Sequence, residues 1–160
     1  MTEMLYLRRH LAHNGIVTTR SITLSFRDRR RSRLRTSLDD GTEVALVLPR
    51  GTILRHGDGL TGDGGVIVRI LAAPELVSIA TTADPLLLAR AAYHLGNRHV
   101  PLQIETGRLS YEHDHVLDDL ARQLGLEVSV AHLPFEPEAG SYAHGHGHGH
   151  GHDHDHEHDQ

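Results

Sequence analysis

The chain has 160 residues, 38% of them hydrophobic, enough for one medium domain or two small ones; with two Phe and no Trp, its core must be aliphatic. Cys is absent, which excludes disulfides and thiolate metal sites, so any metal must be held by imidazole, carboxylate, backbone or water. The net charge of −5 conceals a gradient: residues 1–75 hold twelve Arg against eight acids (+4), residues 76–142 hold four Arg against nine acids (−5), and the last eighteen residues add four acids. A basic front and an acidic back suggest two modules with different partners.

The opening stretch "MTEMLYLRRHLAHNG" lacks the apolar core of a signal peptide, and no run approaches the length of a membrane-spanning helix, so the expected location is the cytoplasm and no membrane partner is expected. The first half reads as strands at "SITLSF" (21–26), "EVALVL" (43–48) and "GVIVRIL" (65–71), separated by turn signals at Asp39-Asp40-Gly41, Pro49-Arg50-Gly51 and Gly57-Asp58-Gly59. This spacing suggests a small all-β barrel or sandwich, and no run here has helical periodicity over a helix's length. The boundary between modules falls near Ala73-Pro74.

The second half changes style. After a strand at 75–81, Asp84 and Pro85 open a helix with apolar residues at 86, 87, 88, 91, 92 and 95, and Gly96 is its expected stop. Strands at 101–106 and 108–112 hinge at Gly107; Asp114 caps a second helix with Val116, Leu117, Leu120 and Leu124 on one face and Gly125 as stop; a last strand covers 126–133. The order βαββαβ is the ferredoxin-like pattern, which makes the whole chain α+β. Residues 143–160 contain nothing that can bury apolar surface and are expected to be disordered without ligand.

Histidine is the outstanding feature. Eight of sixteen lie in the tail, at His144, His146, His148, His150, His152, His154, His156 and His158. Strict alternation puts several imidazoles on one side of an extended chain, the intervening Gly lets the backbone wrap an ion, and Asp153, Asp155, Glu157 and Asp159 add oxygen ligands. A purification tag is usually a run of consecutive His; this acid-laced alternation flows from the preceding sequence. A second group lies inside the folded part: His99 just past the first helix in "YHLGNRHVPLQ", and His113 and His115 on either side of the Asp114 cap in "YEHDHVLDD". His113 and His115 can face one way if the chain stays extended up to Asp114, and would diverge inside a helix. The bland alternatives are a loop histidine satisfied by backbone at 99 and a solvated helix start at 113 and 115. His94 reads as a helix-surface residue, and His10, His13, His56 and His132 as structural or exposed.

Other chemistry is poorly supported. "RDRRRSRLR" (27–35) holds six Arg but has no interleaved aromatics and no recognition helix, so it reads as a basic strand or hairpin face and no nucleic-acid partner is expected. "GDGLTGDGG" (57–65) lacks the Lys-Ser/Thr ending of a phosphate loop and reads as turns. Asp118 and Asp119 are adjacent on a helix and do not face each other as a catalytic pair. No Ser sits in a nucleophile-elbow context, so nucleophilic catalysis has no candidate.

The segments "GNRHVPLQI", "DHVLDDLARQLG" and "PFEPEAGSY", with the His tail and the N-terminal "LDDGTEVALVLPRGTILRHGD", resemble the urease accessory protein E family, the nickel metallochaperones of urease, over most of the chain. The resemblance implies a β-barrel-like partner-binding domain at 1–73, a ferredoxin-like metal-binding and dimerisation domain at 74–142, and the variable tail at 143–160. It implies that His99 of both copies binds one Ni2+ at the dimer surface, that His113 and His115 match a secondary site, and that the partners are a second copy, a urease accessory GTPase and the urease apoprotein complex. The physics agrees with a shared site: a two-fold axis turns one His per chain into two, and imidazole and oxygen ligands suit nickel while also accepting zinc or copper. The expected function is nickel delivery for urease maturation rather than enzymatic turnover. The rivals are a general nickel or zinc store based on the tail, an enzyme using His99 as base or ligand, and a nucleic-acid module using the Arg run.

Overall fold

The computed structural model describes residues 4–12 and 16–140, and in these the chain is a mixed α and β protein built on two sheets. The first sheet comes from strands β1 (Leu5–Leu11), β2 (Ser21–Leu24), β3 (Arg33–Ser37), β4 (Glu43–Val47), β5 (Gly59–Gly62) and β6 (Ile67–Ala72), with a single helical turn α1 (Phe26–Arg29) after β2. Its order is β2-β6-β5-β1-β4-β3; β1 with β4 and β2 with β6 run parallel, the other neighbours antiparallel. The two edges curl toward each other through Asp39, in the turn after β3. Its carboxylate accepts from Ser21 Oγ (2.6 Å), Thr23 Oγ1 (3.0 Å) and Thr23 N (3.1 Å), and its own N–H donates to Ser21 O (2.9 Å). The result is close to a barrel around an aliphatic core that includes Leu7, Ile22, Val44, Leu46, Leu60 and Ile70.

The second sheet comprises β7 (Pro74–Thr81), β8 (Gln103–Glu105), β9 (Arg108–Glu112) and β10 (Glu127–Pro134) in the order β10-β7-β9-β8, all neighbours antiparallel. Helices α2 (Pro85–Gly96) and α3 (His115–Leu124) complete a βαββαβ succession. Their residues Ala91, Leu95, Leu117 and Ala121 form one core with Ala80, Leu109 and Tyr111 of the sheet. Both helices begin as expected: Asp84 accepts from Leu86 N (2.9 Å), with Pro85 in the first position, and Asp114 accepts from Val116 N (2.8 Å) and Leu117 N (3.1 Å). Gly125 ends α3 in the left-handed conformation, φ 105°.

The departures from expectation have physical reasons. The Arg run is not one basic face: residues 26–29 form α1, capped by Ser25 Oγ, and only 33–37 is a strand. In that strand exposed Arg33 and Arg35 alternate with half-buried Leu34 and Thr36, a period of two hidden under a run of like charges. Part of the glycine string is likewise a strand, not only turns. Gly62 is paired with Leu7 beside a register shift in β1, and a Cβ there would run into the Tyr6 carbonyl. Backbone cannot yield as a side chain does, so Gly62→Ala is expected to destabilise the fold by about 1–3 kcal/mol or more, read as a lower urea midpoint at unchanged slope. In α3, Val116 is 52% exposed rather than on the buried face, while Asp118 is buried.

The two sheets are joined by an ion-pair clasp. Arg29, fully buried, donates from Nε to Leu24 O (3.3 Å) and from Nη1 to Leu54 O (3.2 Å), and it also donates to Phe135 O and to the Glu136 carboxylate. Around it Phe26 packs edge-on against Phe135 at 5.7 Å, Phe26 N donates to Glu75 (2.9 Å), Arg55 donates to Pro137 O (2.6 Å) and Glu138 N donates to Leu102 O (2.7 Å). Residues 135–138 are thereby laced to both sheets on their way to the tail.

Candidate metal centre

His99 is set by the way α2 ends. Gly96, the expected stop, is the last helical residue and has no positive φ. The chain instead makes one further tight turn, with Asn97 N donating to Tyr93 O (3.0 Å), Arg98 N to Leu95 O (3.1 Å) and His99 N to Gly96 O (3.0 Å). His99 then takes φ 58°, and it is the one positive-φ residue other than Gly among the described residues. Val100 precedes Pro101 and so favours extended backbone; the reversal therefore falls on His99, at a position where Gly is the usual choice. His99 is thus held on an exposed loop in a conformation that glycine adopts at less cost.

The ring of His99 makes no hydrogen bond among the described residues, so backbone does not satisfy it. It lines a groove of about 520 Å³ with Phe26 and Arg30 from the first sheet's side, Pro101 and Leu102, and Glu138 to Gly140. The segment that leads into the tail thus passes the same groove as His99.

The second pair sits at the start of α3. His113 comes just before the Asp114 cap and His115 is the first helical residue; both are exposed. The Asp114 carboxyl is held below the usual carboxylate range by the N–H groups of Leu117 and Val116. His113 Nδ1 lies 3.0 Å from Ser78 Oγ and 3.3 Å from Asp118 Oδ2, while Tyr111 OH donates to Asp118 Oδ1 at 2.8 Å. Burial, and then the bond to Asp118, pushes the Tyr111 phenol well above its ordinary range. Asp118 had no signal in the sequence beyond its neighbour Asp119; its partners are Tyr111 of β9 and His113 just after it, seven and five residues away in the chain.

The remaining histidines behave as structural or surface groups. His10 Nε2 meets Asp58 Oδ2 at 2.7 Å, His56 Nδ1 accepts from Ala72 N at 3.1 Å, His94 is exposed beside Tyr93, and His132 is exposed. His13 and the tail histidines from His144 to His158 lie outside the described residues. Among the described residues no three His, Asp or Glu side chains converge as a metal cluster. The described residues therefore offer single imidazoles, donors of the kind that nickel, zinc or copper accept.

No helix among the described residues is long and apolar enough to cross a membrane. The family profile described as "UreE urease accessory protein, N-terminal domain" matches residues 1–73, and that described as "UreE urease accessory protein, C-terminal domain" matches residues 75–159. The chain is 58% identical over 140 residues to the urease accessory protein UreE of Enterobacter sp. (strain 638), covering 87% of this chain and 91% of the relative. It is 54% identical over 141 residues to the protein of that name from Escherichia coli O157:H7, covering 88% and 91%. It is 56% identical over 141 residues to that of Pseudomonas putida (strain GB-1), covering 87% and 86%. The chain belongs to the UreE family of urease accessory proteins.

Proposed function

We propose that the protein is a homodimeric nickel metallochaperone of the cytoplasm that delivers Ni2+ for assembly of the urease active site, and is not itself an enzyme. The observation that carries this is His99: an exposed imidazole, free of hydrogen bonds within the described fold, held in a left-handed turn in the groove through which the chain enters its His-rich tail. The domains are read as 1–73 for partner binding, a ferredoxin-like unit at 74–142 for metal and dimerisation, and the collector tail at 143–160. The strand order β10-β7-β9-β8, fourth-first-third-second within the unit, supports the ferredoxin-like reading.

His99 from each protomer supplies two ligands across the two-fold axis, and tail histidines from His144 to His158 gather ions and complete the shell. His113 and His115 form the auxiliary site. Ligands in an open outer shell leave one at a time, so the ion passes to a receiver without the barrier that a closed tetrahedral cage imposes. The receivers are a urease accessory GTPase and the urease apoprotein complex. Eight alternating histidines also favour a second reading, general nickel or zinc storage in the tail. Calorimetric nickel titration separates them: delivery needs a tight site that survives loss of the tail, and storage does not.

Imidazole binds metal only when deprotonated. Nickel affinity is accordingly expected to fall as pH drops through about 6.5, the ordinary histidine value. Binding that stayed level from about pH 8 down to about pH 5 would exclude imidazole as the principal ligand.

A further inference from the structure

Three buried polar groups meet behind the His113 ring. Ser78 and Tyr111 are fully buried and Asp118 is 3% exposed, whereas the His113 side chain keeps 36% of its surface exposed. A carboxylate out of water needs donors on its oxygens. Tyr111 OH supplies one to Oδ1 at 2.8 Å, and His113 Nδ1 stands 3.3 Å from Oδ2, an ion-pair contact rather than an aligned hydrogen bond. A proton on Nδ1 bonds Ser78 Oγ at 3.0 Å and faces that oxygen's negative charge. A bare Nδ1 would instead set its lone pair against those of the carboxylate. A neutral imidazole carries one N–H, so the proton on Nδ1 leaves the lone pair on Nε2.

We propose that Asp118, with Ser78 and Tyr111, is a positioning residue for metal capture at His113: it fixes the ring as the Nδ1–H tautomer and reserves Nε2 for a divalent ion. The proposal rests on the reading of His113 as an auxiliary ligand. Outer-sphere carboxylates of this kind set ring orientation and raise ligand basicity, and their loss costs about 10–100-fold in metal affinity. Asp118→Asn preserves shape and keeps an oxygen for Tyr111, but turns an N–H toward Nδ1. The ring proton then belongs on Nε2, the wrong tautomer for binding, as when the aspartate of a Ser-His-Asp triad becomes asparagine.

The test uses the full chain labelled with 15N-histidine at about pH 8, above the ordinary histidine range, the His113 signals being those missing in His113→Gln. Expected are a proton on Nδ1 in the wild type and on Nε2 in Asp118→Asn. Zinc, which is diamagnetic, should perturb the wild-type Nε2 and require about 10–100-fold more metal in the variant. A wild-type proton on Nε2, or a tautomer unmoved by Asp118→Asn, overturns the proposal. A wild-type Nδ1–H ring that zinc leaves unperturbed overturns the ligand reading of His113 while the tautomer lock stands, so the two failures are told apart. Should Asp118→Asn not fold, the wild-type tautomer and Ser78→Ala decide: the proton stays on Nδ1 in Ser78→Ala if Asp118 is the positioning group, and its departure overturns that assignment.

Discussion

Ending the chain after Tyr142 is expected to reduce the number of nickel ions bound yet leave one tight site per dimer, and His99→Ala in the shortened chain is expected to remove that site. Loss of an outer-sphere partner alone weakens metal binding by about 10–100-fold. In the proposed dimer an isologous interface brings the same residue to itself, so His99→Ala would delete a ligand from both protomers at once and the loss should exceed about 100-fold. Backbone strain must be separated from ligand loss. His99 sits at φ 58°, a conformation that costs an L-residue on the order of 1–2 kcal/mol and glycine almost nothing. His99→Gly should therefore unfold no earlier than the wild type while binding nickel as poorly as His99→Ala. Calorimetry gives the stoichiometry and thermal unfolding the stability. Unchanged nickel binding in the shortened His99→Ala chain would remove His99 from the site; no tight binding in the shortened chain with His99 intact would leave storage in the tail as the function.

The C-terminal sheet was legible because its signals are local. Asp84-Pro85, Asp114 and Gly125 each act within one turn of helix, and they stand where the pattern put them. The N-terminal sheet was half legible. Its β3 and β5 are specified by what lies across the sheet: Leu34 and Thr36 facing inward between arginines, and Gly62 accommodating the Tyr6 carbonyl. A window along the chain sees only a charge run and a glycine string. At the candidate site, His99 stood out by its motif, but not its left-handed φ, since Gly96 offered a cheaper stop to any rule based on propensity. Asp118 and Arg29 were invisible for one shared reason. Their roles depend on partners brought by the fold, Tyr111 and His113 for the first and Phe135 and Glu136 for the second, so a charged residue on a polar-looking helix turns out to be interior.

Arg29→Met is expected to lower stability by about 3–5 kcal/mol, the cost of removing one partner from a buried ion pair. Methionine fills similar space, so the loss reports hydrogen bonds and charge rather than a cavity. Arg29 is fully buried, and its guanidinium is the donor for Leu24 O, Leu54 O, Phe135 O and the Glu136 carboxylate. Burial lowers its pKa and Glu136 opposes that shift, so the pair holds a charge that desolvation disfavours. Without the arginine, the carbonyls are left in the interior without their donor, each a desolvation cost of about 1–3 kcal/mol when nothing replaces it. Glu136 is less exposed to this penalty, since its side chain is 30% accessible and can turn to water. Glu136→Gln keeps an oxygen that accepts from Arg29 but leaves the buried guanidinium without its carboxylate, so it too should destabilise the fold. For a chain of this size the Arg29→Met loss corresponds to a fall of about 6–20 °C in the unfolding midpoint. The damage should centre on residues 135–138, which link the two sheets and enter the His99 groove, so proteolysis in that segment should accelerate before the sheets themselves melt. An Arg29→Met protein within about 0.5 kcal/mol of wild type, the range of ordinary surface changes, would show that the ion pair does not hold the sheets together.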